Sequence, residues 1–260
     1  MYNLAREAAV DIDGDGVFTA SDQWGITSHP LTFMMFMTSS GEQLVIKDND
    51  GYPYLITPDD RFINAYGKVR ELTSATGGIC LDAFSNFGGK TNDINHPSKT
   101  FMNDLALFCC EVLGWSRTFR EMAADFGILP HPKLDENQPN HFNATANTVP
   151  IMAIPITNTD PERTGAFIDA LTALSATTVT PAYYTISLEG KFARDEESIE
   201  MLDIIRSNRI YDLAVIYNWN NFYTNGMMAK GDNPMTMFDK HRDRVTGVIQ
   251  NTIDSFESWD

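Results

Sequence analysis

The stretch Asp11-Ile-Asp-Gly-Asp-Gly-Val-Phe-Thr-Ala-Ser-Asp22 leads directly into the strand-like run Gln23-Trp-Gly-Ile-Thr27. Acidic residues occupy positions one, three, five and twelve of this loop, and Gly16 lies where a twelve-residue calcium loop turns sharply. The pattern predicts a Ca²⁺ site. Calcium sensors pair two such loops, and this sequence has one, so the site is expected to be structural. The alternative is a cation-free acidic loop rich in Asx turns. The predicted ligands are Asp11, Asp13, Asp15, the Val17 carbonyl and Asp22.

The composition is that of an acidic, folded protein. Its 260 residues are 43% hydrophobic and 11% aromatic, enough for a packed core. Thirty-five acidic residues face 19 lysines and arginines, a formal net charge of -16. Such a surface repels phosphate backbones and anionic lipids, which argues against nucleic acid and favours neutral ligands or metal cations. No apolar run approaches the ~18 residues of a membrane helix, and residues 1–25 lack a signal-peptide pattern.

Outward from the acidic loop, short apolar runs alternate with amphipathic segments, which predicts an α/β fold. Strands are predicted at Gln23–Thr27, in a hairpin within Gly41–Tyr54, and at Leu105–Cys110, Phe126–Leu129 and Val149–Ile156. Helices are predicted at Leu31–Met37, Pro58–Ser74, Ser98–Asn103, Asp160–Leu174, about Asp195–Ser207 and about Met237–Phe256.

Capping signals and apolar spacing refine these elements. Thr57 is the predicted N-cap of the second helix, and Asp160 that of the fourth. Asp135–Asn147, rich in side-chain amides, is predicted to be a surface loop near the ligand. Trp24 is predicted to lie in the core under the acidic loop. The fourth helix is expected to bury Ala166, Phe167, Ala170, Leu171 and Leu174. The thiols expected to behave as small buried hydrophobes are Cys80, Cys109 and Cys110.

Several segments, taken in order, resemble the family 1 extracellular solute-binding proteins, the maltose-binding-protein-like group. Asp11–Ile26 is similar to an Asp-rich loop that precedes a strand of the ligand lobe in that family. Phe101–Phe108 and the helix Asp160–Leu174 look like further family elements. Asp125-Phe-Gly-Ile-Leu-Pro-His-Pro-Lys133 is the most telling of them, since it resembles the strand after a ligand-contacting helix.

This resemblance implies a two-lobed, type II periplasmic-binding-protein-like α/β fold of which the chain is the C-terminal portion. The ligand lobe would cover about residues 28–150, and hinge strands and C-terminal helices about 151–260. Much of the N-terminal lobe, with a signal and a lipid anchor, would lie outside the sequence. The implied function is non-catalytic: capture of an oligosaccharide outside the cell by a surface lipoprotein, for delivery to the permease subunits of an ABC importer.

The resemblance also implies ligand-binding residues. Trp115 stands just after a ligand-lobe strand, where the family has a stacking residue, and Trp219 is similar to a late cleft tryptophan. Arg117 and Arg120 could face either the cleft or Glu111. Further candidates for sugar contact are Phe142, Asn143, Tyr183 and Tyr184.

Two other classes of function stay open from the sequence. A glycosidase needs two carboxylates facing each other across a cleft at ~5–10 Å, and no local motif indicates such a pair. The sequence has no nucleophile-elbow, zinc-protease, P-loop or dinucleotide-binding motif. A calcium-dependent interaction module would be expected to duplicate the acidic loop, and the sequence has a single copy.

Overall fold

A computed structural model describes residues 1–29, 31–82, 97–145, 152–184, 196–219 and 233–258. The helices are α1 Tyr2–Ala8, α2 Thr32–Ser39, α3 Asp60–Leu72, α4 Pro97–Met102, α5 Ser116–Phe119, α6 Pro161–Thr177, α7 Val179–Pro181, α8 Glu196–Ser207, α9 Leu213–Tyr217 and α10 Pro234–Glu257. The strands are β1 Trp24–Ser28, β2 Val45–Lys47, β3 Pro53–Leu55, β4 Cys80–Asp82, β5 Ala106–Cys109, β6 Asn143–Ala144 and β7 Arg209–Ile210.

A three-stranded parallel sheet in the order β4-β1-β5 organises the described chain. Ile26 pairs with Cys80 on one side and Phe108 on the other. All five residues of β1 are buried, as expected for a parallel strand covered on both faces. The strands predicted at Gln23–Thr27 and Leu105–Cys110 are therefore confirmed, as is the α/β class.

Helix α1 lies directly against β1. A β-carbon at Gly25 would overlap the backbone of Ala5, so this close approach requires glycine. Just after α1, Val10 forms an isolated antiparallel bridge with Gln23. Trp24 is buried as predicted. The first helix and the acidic loop are therefore both tied to the central strand.

The main core joins α2, α3 and α10 to the sheet and to the β2–β3 hairpin. Helix α2 is almost wholly buried, as expected from its apolar sequence. The hairpin predicted within Gly41–Tyr54 is confirmed by antiparallel pairing of Val45 with Leu55. The larger buried side chains of this core include Phe33, Phe36, Met37, Phe62, Tyr66, Val69, Leu72, Met237, Phe238, Val245 and Ile249.

Helix α3 begins later than predicted. Asp59, rather than Thr57, is its N-cap, and the Asp59 carboxylate accepts a hydrogen bond from the Phe62 N–H at 2.8 Å. A carboxylate also interacts favourably with the helix dipole at this end, which a threonine hydroxyl cannot match.

Two predicted strands are absent from the described residues. Phe126–Leu129 is an irregular segment ended by Pro130, which has no N–H for a sheet ladder. Of the strand predicted at Val149–Ile156, residues 149–151 lie outside the described part and residues 152–156 are not in a strand. In the described residues, an apolar run next to prolines was therefore not enough to form a strand.

Helix α6 has the predicted cap but not the predicted burial. Asp160 accepts a hydrogen bond from the Arg163 N–H at 3.0 Å, which confirms the cap. Phe167 is 65% exposed, and Leu171 and Leu174 are exposed as well. The expected stripe, which also includes Ala166 and Ala170, was therefore wrong for this structure, because periodicity shows that a helix is amphipathic but not what covers it.

The last two long helices agree with the sequence. Leu202 of α8 is buried, and Val245 and Ile249 of α10 lie in the main core. Helix α10 starts at Pro234 because the Asn233 side chain caps the Met235 N–H at 2.8 Å. In the part of the chain that the structure describes, none of the helices is long and apolar enough to cross a membrane.

Candidate ligand-binding site

The carboxyl ends of the three parallel strands meet at one edge of the sheet. Open α/β sheets bind ligands in the crevice outside this edge. The chain leaves β5 through Cys110 and Glu111, and then forms a short 3₁₀ turn at Leu113–Trp115 before α5. The topology thus brings Trp115 close to the edge where a ligand is expected.

A cavity of about 330 Å³ lies beside the end of β5. A cavity of this volume is at the lower end of the ~300–1,000 Å³ range of ligand pockets. Its walls come from the β5 exit, from α4 and α5, and from the irregular segment 126–132. Its aromatic lining residues are Phe36, Phe101, Phe108, Phe119, Phe126 and His131.

Phe119 is the centre of the aromatic cluster in this wall. Its ring meets Phe101 at 5.2 Å and Phe126 at 5.8 Å between centroids, both edge to face. Trp115 stacks on Phe119 at 6.1 Å with an interplanar angle of 27°. Aromatic rings favour both arrangements. The half-buried Trp115 indole therefore packs on a ring of the cavity wall, but it is not itself one of the lining residues.

His131 also lines the cavity. Its Nδ1 lies 2.7 Å from the Ser39 hydroxyl, and its ring packs 5.2 Å from Phe36. Burial lowers the pKa of His131 to about 4, because the apolar surroundings disfavour the charged imidazolium. The imidazole is therefore neutral at pH 7.

Few polar groups face the cavity, and most of them are already bonded. The Ser116 hydroxyl donates to the Leu113 carbonyl at 2.6 Å. The Ser98 hydroxyl donates at 3.0 Å to Oε1 of Glu111, which is one of the lining residues. The lining side chains are thus largely apolar, with one carboxylate among them.

The cysteines near the cavity are unreactive. Burial raises the pKa of Cys109 to about 12 and raises that of Cys110 well above its ordinary value. Cys80 is buried in β4, where its thiol contacts the Ser28 hydroxyl at 3.2 Å. All three are free thiols. The expectation of small buried hydrophobes is confirmed for Cys80, whereas Cys109 and Cys110 are half-buried and line the cavity.

Tyr183 and Tyr184 lie near another part of the cavity wall. Leu202 of α8 packs against Tyr184 and against two cavity residues, Leu113 and Ile128. The two tyrosine rings meet edge to face at 5.6 Å, and Tyr183 is exposed. The structure therefore places the exposed Tyr183 ring one residue away from a cluster that borders the cavity.

Asn143 supports the site without facing it. Its side chain accepts from the His131 N–H at 3.2 Å and donates to the His141 carbonyl at 3.0 Å. Asn143 is buried, so we expect it to position His131 rather than to contact a ligand. Phe142 points elsewhere, since its ring lies 3.4 Å from where a β-carbon on Gly41 would be.

Trp219 lies in the main core. It is 3% exposed, and its indole stacks on Tyr217 at 5.1 Å and 4°. The indole N–H donates to the Thr252 hydroxyl of α10 at 3.1 Å. With its ring buried and its N–H bonded, Trp219 is a packing residue in this structure, whereas the sequence predicted it to contact the ligand.

Three of the five predicted calcium ligands converge in the acidic loop. Oxygen atoms of Asp11, Asp13 and Asp15 lie within 4.8 Å of one another. The Asp11 carboxylate accepts from the N–H groups of Gly14 at 2.8 Å and Gly16 at 2.7 Å. Both glycines have positive φ, at 71° and 82°, where a side chain would be strained. The loop thus curls its backbone around three convergent carboxylates.

Asp22 closes this loop from the buried side. Its carboxylate accepts from the Ile12 N–H at 2.9 Å and from the Thr19 N–H at 2.7 Å. These bonds hold the pKa of Asp22 below its usual value although the residue is 1% exposed. The hydrogen bond from the Thr19 N–H has the largest effect. The Val17 side chain is exposed, and its N–H donates to Asp15 at 2.7 Å.

Charge repulsion is present within the loop. The hydrogen bond from the Asp15 N–H lowers the pKa of Asp13, but lost hydration and repulsion from Asp15 and Asp22 outweigh it, so the pKa is raised. Asp22 therefore lies close enough to the other carboxylates for its charge to raise the pKa of Asp13. These donors are oxygens, the ligand type that Ca²⁺ prefers, so the residues present fit this ion.

Sequence reasoning missed most of the cavity wall. Glu111 could have been found, because residues after the carboxyl end of a parallel strand face the ligand side. Phe101, Phe119 and Phe126 come from three separate segments, and no local pattern indicates that they meet. Pro130–Pro132 belongs to a segment that resembles a family motif, but the sequence did not predict that His131 lines the cavity.

The fold has a known counterpart. The chain is similar to the solved maltose/maltodextrin-binding domain MalE from Bdellovibrio bacteriovorus bound to maltotriose, with a TM-score of 0.53 and 15% sequence identity. The match covers 97% of this chain and 65% of that one, so the chain spans about two thirds of its counterpart. No protein-family model and no curated protein matches the sequence. The shared architecture confirms the predicted periplasmic-binding-protein-like α/β fold.

Proposed function

We propose that this protein captures a carbohydrate at the carboxyl edge of its parallel sheet. One observation carries the proposal: an aromatic-walled cavity opens at that edge in a fold shared with a maltotriose-bound binding domain. Aromatic faces bind the C–H surfaces of sugars, because stacking there removes apolar area from water on both partners.

The roles follow from the geometry. Trp115, fixed on Phe119, offers a half-buried indole for stacking against a sugar ring. Glu111 offers its second carboxylate oxygen to a sugar hydroxyl at the mouth of the cavity. Tyr183 is a further candidate contact on the side of α8. The ligand lobe is proposed to cover about residues 28–150, with hinge strands and C-terminal helices in 151–260.

Isothermal titration calorimetry with maltotriose and a panel of other oligosaccharides tests the proposal. We expect saturable binding, and we expect Trp115→Ala to weaken it by about 10- to 100-fold, since losing a buried aromatic contact costs a few kcal/mol. Tyr54→Ala is the matched control, because Tyr54 is an exposed aromatic residue on the β2–β3 hairpin. Chromatography of the mixtures should show intact sugar. Release of shorter products would instead indicate that the protein is a glycosidase.

A transport role is the wider context that we propose for such capture. The loaded protein would deliver its sugar to the permease subunits of an ABC importer, as a lipoprotein outside the cell. Rapid exchange between bound and free sugar, without chemical change, is the property that this role requires. Uptake of labelled oligosaccharide by cells with and without the gene would test it.

We further propose that the acidic loop binds one structural Ca²⁺ through Asp11, Asp13, Asp15, the Val17 carbonyl and Asp22. The cation would relieve the repulsion that raises the pKa of Asp13. Because Trp24 donates to the Thr19 carbonyl at 2.8 Å, the ion would tie the loop to β1.

Terbium luminescence tests the cation site. Tb³⁺ should be sensitised through the nearby Trp24, and Ca²⁺ should displace it. Calcium at 100 times its dissociation constant should stabilise the fold by about 2.7 kcal/mol, and EDTA should reverse this. Asp13→Asn should lose both effects, whereas Asp50→Asn, in the exposed hairpin turn, should keep them. Equal responses from the two variants would contradict the assignment.

A further inference from the structure

We propose that the cavity beside β5 receives an aromatic group joined to the sugar, so that the preferred ligand is an aryl glycoside rather than an unsubstituted oligosaccharide. This inference rests on the proposed capture of a carbohydrate and names the chemical class of its ligand. It assigns the sugar to the rim, near Trp115 and Glu111, and the aryl group to the interior.

Few of the side chains in the wall are polar, so the wall offers few groups to sugar hydroxyls. Ser116 is bonded to the Leu113 carbonyl, and Nδ1 of the His131 imidazole is bonded to Ser39. The backbone N–H of His131 is bonded to Asn143. Burying a hydroxyl without a hydrogen-bond partner is unfavourable, and a hexose would bring several hydroxyls. An aryl group brings none.

The size of the cavity fits an aryl group. A dry cavity of about 150 Å³ lined by similar side chains accommodates benzene. The cavity beside β5, at about 330 Å³, has room for one ring and the atoms that link it to a sugar. A whole trisaccharide would extend beyond it, onto the open surface.

The rings of the wall are arranged to hold a further ring. Phe101 and Phe126 both meet Phe119 edge to face, and all three rings line the cavity. An aromatic guest can pack on them edge to face or stacked. The thiols of Cys109 and Cys110 are uncharged, which leaves the Glu111 carboxylate as the charged side chain among the residues that line the cavity.

Calorimetry with a matched pair of ligands tests the inference. Methyl and phenyl glycosides of the best oligosaccharide from the panel would be compared, with phenol alone as a third probe. We expect the phenyl glycoside to bind at least about tenfold more tightly than the methyl glycoside, which is the scale of burying one ring. Phenol alone should bind more weakly than either glycoside.

A cavity-filling variant sharpens the test. Leu107 lines the cavity from the exposed face of β5, so Leu107→Trp should fill it from the side with little strain. We expect this variant to lose the preference for the phenyl glycoside, so that both glycosides bind with similar affinity. Leu174→Trp, on the exposed face of α6, is the matched control and should keep the preference.

The outcomes separate the two proposals. Equal affinity for both glycosides overturns the inference and leaves carbohydrate capture standing. Binding of phenol as tight as that of the phenyl glycoside, with no binding of the methyl glycoside, overturns both, as does the absence of any binding. If Leu107→Trp does not fold, as judged by circular dichroism, the comparison of the two glycosides on the unmodified protein decides.

Discussion

Acidification should destabilise this protein through His131. In the folded state, burial lowers the pKa of this residue to about 4, whereas an unfolded histidine titrates near 6.5. Between these two values the unfolded chain binds a proton at His131 that the folded chain does not. The contribution is therefore fully present above about pH 6.5 and is lost as the pH falls toward 4.

The size of the effect follows from the two pKa values. With one titrating site, lowering the pH from 7.5 to 5 should reduce the free energy of unfolding by about 2 kcal/mol, and by about 3 kcal/mol at pH 4. Protonation would also disturb the 2.7 Å contact with Ser39 and the wall of the cavity. Because the folded state takes up this proton only near pH 4, ligand affinity should weaken there and change little between pH 7.5 and 5.

Urea unfolding at pH 7.5 and pH 5 measures this difference. His131→Asn removes the titrating group and keeps a polar side chain near Ser39. It should reduce the pH dependence by about 2 kcal/mol, even though carboxylates such as Glu42 also titrate. His141→Gln, in the same loop, is the control and should keep most of the pH dependence. The same loss of stability on acidification in His131→Asn and in the unmodified protein would refute the reasoning.

Two further perturbations test the packing around the site. Gln138→Ala should reduce the free energy of unfolding in urea by about 2–4 kcal/mol, because the buried amide bonds the Ser39 and Asn140 carbonyls and the Leu134 N–H. The control Asn137→Ala, at an exposed residue, should change stability little. Similar losses in the two variants would contradict this account. Gly25→Ala should destabilise the fold by about 1–3 kcal/mol, because α1 must move away from β1. The loss should appear as a lower melting temperature. Gly67→Ala, in open space on α3, should stabilise by about 0.5–1 kcal/mol, and a reversed order would be inconsistent with the α1–β1 contact.

Local physical chemistry explains which elements the sequence could predict. The strand β1 was predictable because an apolar run follows a loop with a fixed turn pattern. The hairpin was predictable because Asp48 and Gly51 satisfy the backbone of its turn: Asp48 accepts from the Tyr52 N–H at 2.9 Å, and Gly51 has a φ of 90°. In each case the determining contacts lie within a few residues of one another.

The site depended on contacts between distant segments, and these could not be predicted. Trp115 and Trp219 were equivalent in the sequence, but the first stacks beside a cavity and the second is sealed under α10. Gln138 was expected in a surface loop, yet it is 1% exposed because its amide satisfies three backbone groups. The apolar stripe of α6 was expected to be buried, and no local pattern could indicate that it is exposed.

A structure of the protein with its tightest-binding oligosaccharide tests the central claim most directly. We predict a sugar ring stacked on Trp115, with a hydroxyl bonded to Glu111, at the carboxyl ends of β1 and β5. A sugar bound at any other surface of the protein, or no binding by the whole panel at millimolar concentration, would contradict it.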